Sequence, residues 1–114
     1  MKKSIWLNYD LSVGGDYKGL YSWLDDLDAI ECGNGMAYFK YNIDKSIDTD
    51  KKFLESLQND INSQVDLQPI DRVYIVFRSM ESMRFFGKFI IGKRKSNPWK
   101  GYGTTPNDDI EEGA

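Results

Sequence analysis

Hydrophobic and polar residues alternate near the start of the chain, in the pattern of a β-strand with one buried face. From Ser4 to Leu11, one face would carry Ile5, Leu7, Tyr9 and Leu11. The opposite face would carry Trp6, Asn8 and Asp10. Gly14 and Gly15 follow and favour a turn. The pattern predicts a first strand that ends on a carboxylate beside a flexible turn.

Two later stretches have apolar residues at helical spacing. The first follows Asp16, whose side chain is a good N-cap, and its predicted helix ends near Asp28. Its apolar stripe consists of Tyr17, Leu20, Tyr21, Leu24 and Leu27. The second helix is predicted from Asp50 to Gln64. Its stripe consists of Phe53, Leu54, Leu57, Ile61 and Val65.

Asn34 and Gly35 separate two short runs of apolar and aromatic residues. This pair is a strong hairpin signal, because both central residues of a type I′ turn need a positive φ. One long bulged strand through the same region is the alternative. Two more strands are predicted, from Arg72 to Arg78 and from Met83 to Lys93.

The resulting order is strand, helix, strand, strand, helix, strand, with an extra C-terminal strand. Two helices on one face of an antiparallel sheet in this order predict an α+β fold of the ferredoxin-like sandwich type, with the first and third strands at the centre. We expect a single domain over residues 1–95. Residues 96–114 form a polar, acidic and partly disordered tail in this prediction, with Asp108, Asp109, Glu111 and Glu112 near its end.

The sheet face without helices is predicted to be rich in aromatic and basic residues. Strand alternation assigns to it Trp6, Asn8, Asp10, Tyr38, Lys40, Arg72, Tyr74, Val76, Arg78, Phe86 and Lys88. Such a surface is rarely left bare on a monomer. Three uses remain open: a homodimer packed sheet to sheet, stacking of nucleic-acid bases, and cover by Trp99 and Tyr102 of the tail. The predicted dimer interface consists of Trp6, Tyr38, Tyr74 and Phe86.

Composition restricts the chemistry of the chain. A length of 114 residues suits one core, and the net charge of −3 argues against a generally basic nucleic-acid binder but permits a local basic patch. Histidine is absent, so Ser-His-Asp catalysis, Cys-His catalysis and histidine-ligated metals are excluded. Cys32 is the single cysteine, so no intrachain disulfide forms, and we expect it to be a small buried residue. We expect no signal peptide or membrane segment, no membrane partner and a cytoplasmic location.

Asp10 is the best single candidate for chemistry. A carboxylate at a strand end can bind Mg²⁺, which makes Asp10 the candidate metal ligand and catalytic residue. The alternative is that Asp10 caps the turn by accepting hydrogen bonds from the Ser12 or Gly14 amides. The Gly14-Gly15 pair could bind a phosphate at the following helix, although a flexible turn is the simpler interpretation.

A basic segment follows the last predicted strand. The candidate nucleic-acid-binding residues there are Lys93, Arg94, Lys95, Trp99 and Lys100. The acidic tail downstream could instead mask them. Asp25, Asp26 and Asp28 crowd the end of the first helix, where negative charge is unfavourable, and they either face solvent or meet a basic partner.

The strand that ends in Tyr9-Asp10-Leu11, followed by a polar loop and a helix, resembles the small CRISPR-associated adaptation subunit and the virulence-associated protein D ribonucleases. The resemblance covers roughly residues 4–95 in topology. It implies a ferredoxin-like fold, dimerisation through the sheets and a C-terminal strand that can cross to the partner. It also implies either a Mg²⁺-dependent nuclease, with Asp10 at the matching position, or a non-catalytic nucleic-acid scaffold.

Three functional hypotheses follow. The first is a homodimer that holds or cleaves nucleic acid. The second is a small acidic interaction module that inhibits a nucleic-acid-binding protein through Asp25, Asp26, Asp28 and the acidic tail. The third is a sensor of a small anion at Gly14-Gly15.

Overall fold

A computed structural model describes residues 1–104 and contains one five-stranded sheet and two helices. The strands are β1 (Lys2–Asp10), β2 (Ile30–Glu31), β3 (Met36–Asn42), β4 (Arg72–Arg78) and β5 (Phe85–Ile91), and the helices are α1 (Tyr17–Asp26) and α2 (Asp50–Gln64). Every pair of neighbouring strands is antiparallel. The predicted α+β class is confirmed. The predicted acidic end of the tail lies outside the described residues.

The strands are ordered β2-β3-β1-β4-β5 across the sheet. β1 is therefore central and pairs with β3 on one side and β4 on the other. β5 extends the sheet beyond β4, so that β4 is also an internal strand. This arrangement is compatible with a ferredoxin-like sandwich, although the added strand means that the order is not the usual four-stranded one.

Both helices pack on the same face of the sheet. Ile5 and Leu7 of β1 are fully buried beneath them, as alternation predicts. The ring of Trp23 on α1 lies 5.8 Å from that of Phe39 on β3, measured between centroids. The ring of Phe53 on α2 lies 5.2 Å from that of Phe77 on β4. The two helices and three central strands thus share one core, and the opposite face of the sheet has no helix on it.

The helix ends and the hairpin follow local signals in the sequence. Asp16 caps α1 by accepting a hydrogen bond from the Gly19 amide at 2.9 Å. α1 ends at Asp26, two residues before the predicted end, because Asp28 adopts a φ of 53° and leaves the helical path. Asn34 and Gly35 have φ values of 28° and 76° and join β2 to β3, which confirms the hairpin over the long bulged strand.

β5 is shorter than predicted and ends just before Gly92. A Cβ atom at Gly92 would lie 2.5 Å from the carbonyl oxygen of Asp71, and its φ is 73°. Only glycine fits this close approach, at which the chain leaves the sheet. Within residues 1–104, no helix is both long enough and apolar enough to cross a membrane.

Candidate nucleic-acid interface

The helix-free face of the sheet, called the open face below, carries the aromatic and basic residues that alternation assigned to β1, β3 and β4. Trp6 lies opposite Tyr38 on β3 and opposite Val76 on β4. The Trp6 and Tyr38 ring centroids are 5.0 Å apart. The Tyr38 hydroxyl is 2.8 Å from Ser4 Oγ, a hydrogen bond that fixes the ring. The open face is therefore an ordered aromatic surface on its three central strands.

The prediction of which β5 side chains point to the open face was wrong, and the assignment is shifted by one residue. Phe86 pairs with Phe77 and Lys88 pairs with Ile75, and both partners belong to the core beneath the helices. Because directly paired residues point to the same side of a sheet, Phe86 and Lys88 face the helix side. Residues Phe85, Gly87 and Phe89 occupy the open face instead. The adjacent phenylalanines do not alternate with polar residues, so the sequence does not indicate which side of the sheet each one faces. The β4–β5 turn fixes the register and thereby the side.

Tyr74 and Phe89 form the centre of a cationic aromatic cluster on the open face. Their ring centroids are 4.7 Å apart at an interplanar angle of 66°. The Arg94 guanidinium lies 5.6 Å from the Tyr74 centroid and 5.4 Å from that of Phe89. Arg72 approaches Phe89 from β4, at 5.7 Å. We call these four residues the arginine–aromatic cluster.

Gly87 makes room for this cluster. A Cβ atom on Gly87 would lie 1.9 Å from the Tyr74 hydroxyl oxygen and 2.5 Å from Cζ, the nearest atom of its ring. The Tyr74 ring therefore lies directly over the backbone of the neighbouring strand, which only glycine permits. In this position the Tyr74 ring lies within 5.6 Å of the Arg94 guanidinium, measured from Cζ to the ring centroid.

The basic segment reaches the open face through Arg94 and its neighbours. A cavity of about 410 Å³ is lined by Arg72, Phe89, Arg94 and residues 95–99. Trp99 forms part of its wall but remains 68% exposed, and Tyr102 is also exposed. Lys93, Lys95 and Lys100 are exposed close by in the chain. The segment thus borders the cluster, whose two rings are half-buried, and adds two exposed rings of its own beside it.

Asp10 is engaged by an arginine. Its Oδ2 atom accepts a hydrogen bond from Arg72 Nη2 at 2.6 Å. Within residues 1–104, no group of three or more His, Cys, Asp or Glu side chains is placed to hold a metal ion. A hard cation prefers several oxygen ligands, and the guanidinium already balances the charge of this one. The geometry of the single chain therefore does not favour Mg²⁺ at Asp10.

The turn after β1 is capped by Asp71, so the alternative role predicted for Asp10 was wrong. Asp71 Oδ1 accepts hydrogen bonds from the Ser12 amide at 2.6 Å and the Ser12 hydroxyl at 2.7 Å, and Oδ2 accepts one from the Gln68 amide at 2.7 Å. Only 1% of Asp71 is exposed. Burial raises the pKa of Asp71, but these hydrogen bonds outweigh it and hold the pKa below its usual value.

The Gly14-Gly15 turn closes on itself. The Gly15 amide donates to the Ser12 carbonyl at 2.8 Å, and Gly14 has a φ of 79°. The start of α1 is occupied by the Asp16 carboxylate, which also accepts from the Asp66 amide at 2.8 Å. Hydrogen bonds from the Asp66 and Gly19 amides lower the pKa of Asp16, so the group is a stable anion. A negative side chain at this position disfavours the predicted anion site.

A second aromatic cluster lies on the helix side. The rings of Tyr9, Tyr17 and Tyr21 have centroid separations of 5.7 to 6.3 Å. A hydrogen bond with Tyr21, together with partial burial, raises the pKa of Tyr9 to about 12.

Cys32 is exposed at the β2–β3 turn rather than buried as predicted, because the hairpin tip projects from the sheet.

The open face carries more basic than acidic side chains. The strand positions of the open face carry Lys2, Lys40, Arg72 and Arg78 alongside Asp10. The helices carry Asp25, Asp26, Asp50, Glu55 and Asp60 against Lys18, Lys51 and Lys52. An acidic chain thus presents a basic surface beside its exposed aromatic rings.

Comparison with protein-family models, with curated proteins and with solved structures finds no match to this chain.

Proposed function

We propose that the open face binds single-stranded nucleic acid without cleaving it. The observation that carries this proposal is the arginine–aromatic cluster, in which Arg94 lies near the half-buried rings of Tyr74 and Phe89 and Arg72 lies near the ring of Phe89. Aromatic side chains on a sheet stack unpaired bases, and arginines meet phosphates or stack on the bases themselves. A chain of net charge −3 can bind a polyanion on this face because its strand positions carry four basic side chains, Lys2, Lys40, Arg72 and Arg78, against one acidic side chain, Asp10.

We also infer that the fold is a ferredoxin-like sandwich with one additional edge strand. The order of helices and strands and the central position of β1 support this inference. The resemblance to the CRISPR-associated adaptation subunit and the virulence-associated protein D ribonucleases remains part of the proposal for the fold and for nucleic acid, but not for the dimerisation through the sheets that it also implies. Of the two activities that this resemblance implies, the ion pair between Asp10 and Arg72 supports a scaffold over a Mg²⁺-dependent nuclease.

The predicted homodimer is a second candidate use of the open face, favoured by the exposed ring of Phe85 beside Trp6. Against it, sheet-to-sheet packing about a two-fold axis would bring the basic side chains of both copies together. Under our proposal, light scattering reports the mass of one 13.2 kDa chain. A dimer that the Tyr74→Glu variant dissociates would favour the homodimer instead.

Salt dependence tests the proposal. Binding of a fluorescein-labelled single-stranded DNA of mixed sequence is measured by anisotropy at increasing salt. Replacing Lys93, Arg94 and Lys95 together by alanine should flatten the plot of log affinity against log salt by about 2, since each phosphate contact to a single strand contributes ~0.7.

The matched control removes the same charge from the helix side. Alanine at Lys18, Lys51 and Lys52, which are all exposed on the helices, should leave the slope unchanged. Equal slopes for the two triple variants would contradict the proposal, because they would show that only net charge matters. Absence of binding at low salt would contradict it outright and leave the interaction-module hypothesis.

A further inference from the structure

A second cavity lies at the end of the open face away from Asp10. Its volume is about 530 Å³. The walls are mostly apolar and include Met1, Trp6, Ile43, Met80, Met83 and Phe85. Lys2, Lys3 and Arg78 also line it and supply its positive charge. The cavity therefore combines apolar walls with cations, next to the aromatic surface described above.

The wall formed by the β4–β5 turn is held in place by the first residue of α2. Asp50 Oδ2 accepts a hydrogen bond from the Ser79 hydroxyl at 2.5 Å, and Oδ1 accepts one from the Met80 amide at 2.9 Å. Ser79 Oγ in turn accepts from the amides of Glu81 and Ser82, each at 3.1 Å. Only 2% of Ser79 is exposed. The turn is thus fixed before any ligand arrives.

Met83 is strained at the cavity wall. Its φ is 64°, a left-handed conformation that side chains other than glycine rarely adopt. Its side chain is 57% exposed, so packing in the core does not account for a methionine at this position. The Met83 carbonyl accepts a hydrogen bond from Arg78 Nε at 3.0 Å, which ties the strained residue to a cation of the cavity. Strain of this kind concentrates at binding sites.

The polar groups around the cavity are already engaged within the protein. Lys3 Nζ donates to the Arg78 carbonyl, Ser79 Oγ donates to Asp50, and Ser4 Oγ is bonded to the Tyr38 hydroxyl. The walls therefore consist mainly of aromatic rings and methionine thioethers. Few of their hydrogen-bond donors and acceptors are free to contact the polar edge of a base. A ligand with a flat apolar face and flanking negative charge suits this lining.

We propose that this cavity receives one unstacked base of the bound strand, an inference that rests on the proposed function. The rings of Trp6 and Phe85, 6.3 Å apart at an interplanar angle of 65°, form two walls for the base. The cations Lys2 and Arg78 at the cavity meet the phosphates on either side of it. Because the wall contacts ring faces rather than edges, the cavity accepts purines and pyrimidines alike.

The test combines an abasic scan with a protein variant. The probe is the shortest single-stranded DNA that binds with full affinity, so that one register fills the site, and one nucleotide at a time is replaced by a tetrahydrofuran abasic residue. In the unmodified protein, one position should show a loss of affinity of about tenfold, as expected for one lost stacking contact. Phe85→Ala should abolish the loss at that position, because the missing ring and the missing base remove the same contact.

Phe86→Ala is the matched control. Phe86 is the adjacent aromatic residue and is 43% exposed, but it faces the helix side. This variant should keep the tenfold loss at the same position. Met83→Gly, which relieves the positive φ while removing the thioether, should reduce the loss as Phe85→Ala does and does not put folding at risk.

Each outcome decides between the proposals. A loss at one position that disappears in Phe85→Ala and persists in Phe86→Ala supports the base cavity. Strands that bind, but show no such position or an unchanged loss in Phe85→Ala, overturn the cavity and leave the proposed function intact. Failure of the unmodified strand to bind overturns both.

Discussion

Replacing Tyr74 and Phe89 together by alanine is expected to weaken the binding of single-stranded DNA about 100-fold. Each aromatic ring that stacks a base contributes ~1–3 kcal/mol. The double variant also removes the surface over which the Arg94 guanidinium lies, so that the arginine loses its orientation toward the strand. Fluorescence anisotropy at low salt measures the change directly.

The control for this variant is a pair of tyrosines on the helix side. Tyr17 and Tyr21 are both exposed, and their ring centroids are 5.7 Å apart, so the pair resembles Tyr74 and Phe89 in size and spacing. Alanine at both positions should leave DNA affinity within about twofold. Equal losses in the two double variants would show that binding does not depend on the open face. Thermal unfolding of both variants checks that the fold persists.

Asp71→Ala is expected to lower the free energy of unfolding by about 3 kcal/mol. The substitution leaves the Ser12 amide, the Ser12 hydroxyl and the Gln68 amide without their acceptor in a buried turn, and unsatisfied buried donors are costly. Asp71→Asn retains one acceptor oxygen and should cost about 2 kcal/mol. Urea unfolding measures both losses.

The contribution of Asp71 also depends on pH. Its folded pKa lies below the usual value of 3.8, so its stabilisation is complete above pH 3.8 and is lost as the pH falls through the folded pKa. The difference in stability between the natural chain and Asp71→Asn should therefore be constant near neutral pH and narrow below about pH 3.8. A difference that widens in acid would contradict this account.

Asp26→Ala is the control for the Asp71 variants. Asp26 is an exposed residue at the C-terminal end of α1, where its negative charge opposes the helix dipole. Its removal should leave stability unchanged or slightly higher. A loss comparable to that of Asp71→Ala would mean that removal of any carboxylate destabilises the chain, rather than loss of the buried turn cap.

Much of the fold was readable from local patterns. Alternation on β1 assigned Leu7 to the core and Trp6 to the open face, and the apolar stripe of α2 predicted the bounds Asp50–Gln64. These elements have one polar and one apolar face, so the spacing of apolar residues along the sequence matches the residues that are buried. β5 has large apolar residues on both faces, and its sequence Phe85-Phe86 carries no period. Its register is set by the turn that Asp50 stabilises, which no local pattern contains.

The candidate site was less predictable, because its decisive contacts join distant parts of the chain. Asp10 was a reasonable candidate from its position at a strand end. Its role changes because Arg72, which is 62 residues away, lies directly opposite it on β4. In the same way, Asp71 carries the turn cap because β4 begins beside Ser12. Once β1 and β4 are known to pair, both contacts follow from the register.

Under the proposed function, the restriction of binding to the open face determines which surface of the protein a coated strand presents to solvent. A chain bound through its open face turns α1 and α2 outward, with Asp25, Asp26 and Glu55 at the surface. The exposed charges on these helices balance, with Asp25, Asp26 and Glu55 against Lys18, Lys51 and Lys52, so this outer layer does not attract a second strand by charge. Each copy can hold a strand on one side only, so it does not cross-link two strands. Nucleic acid saturated with this protein should therefore stay dispersed rather than condense, unlike nucleic acid mixed with a uniformly basic protein.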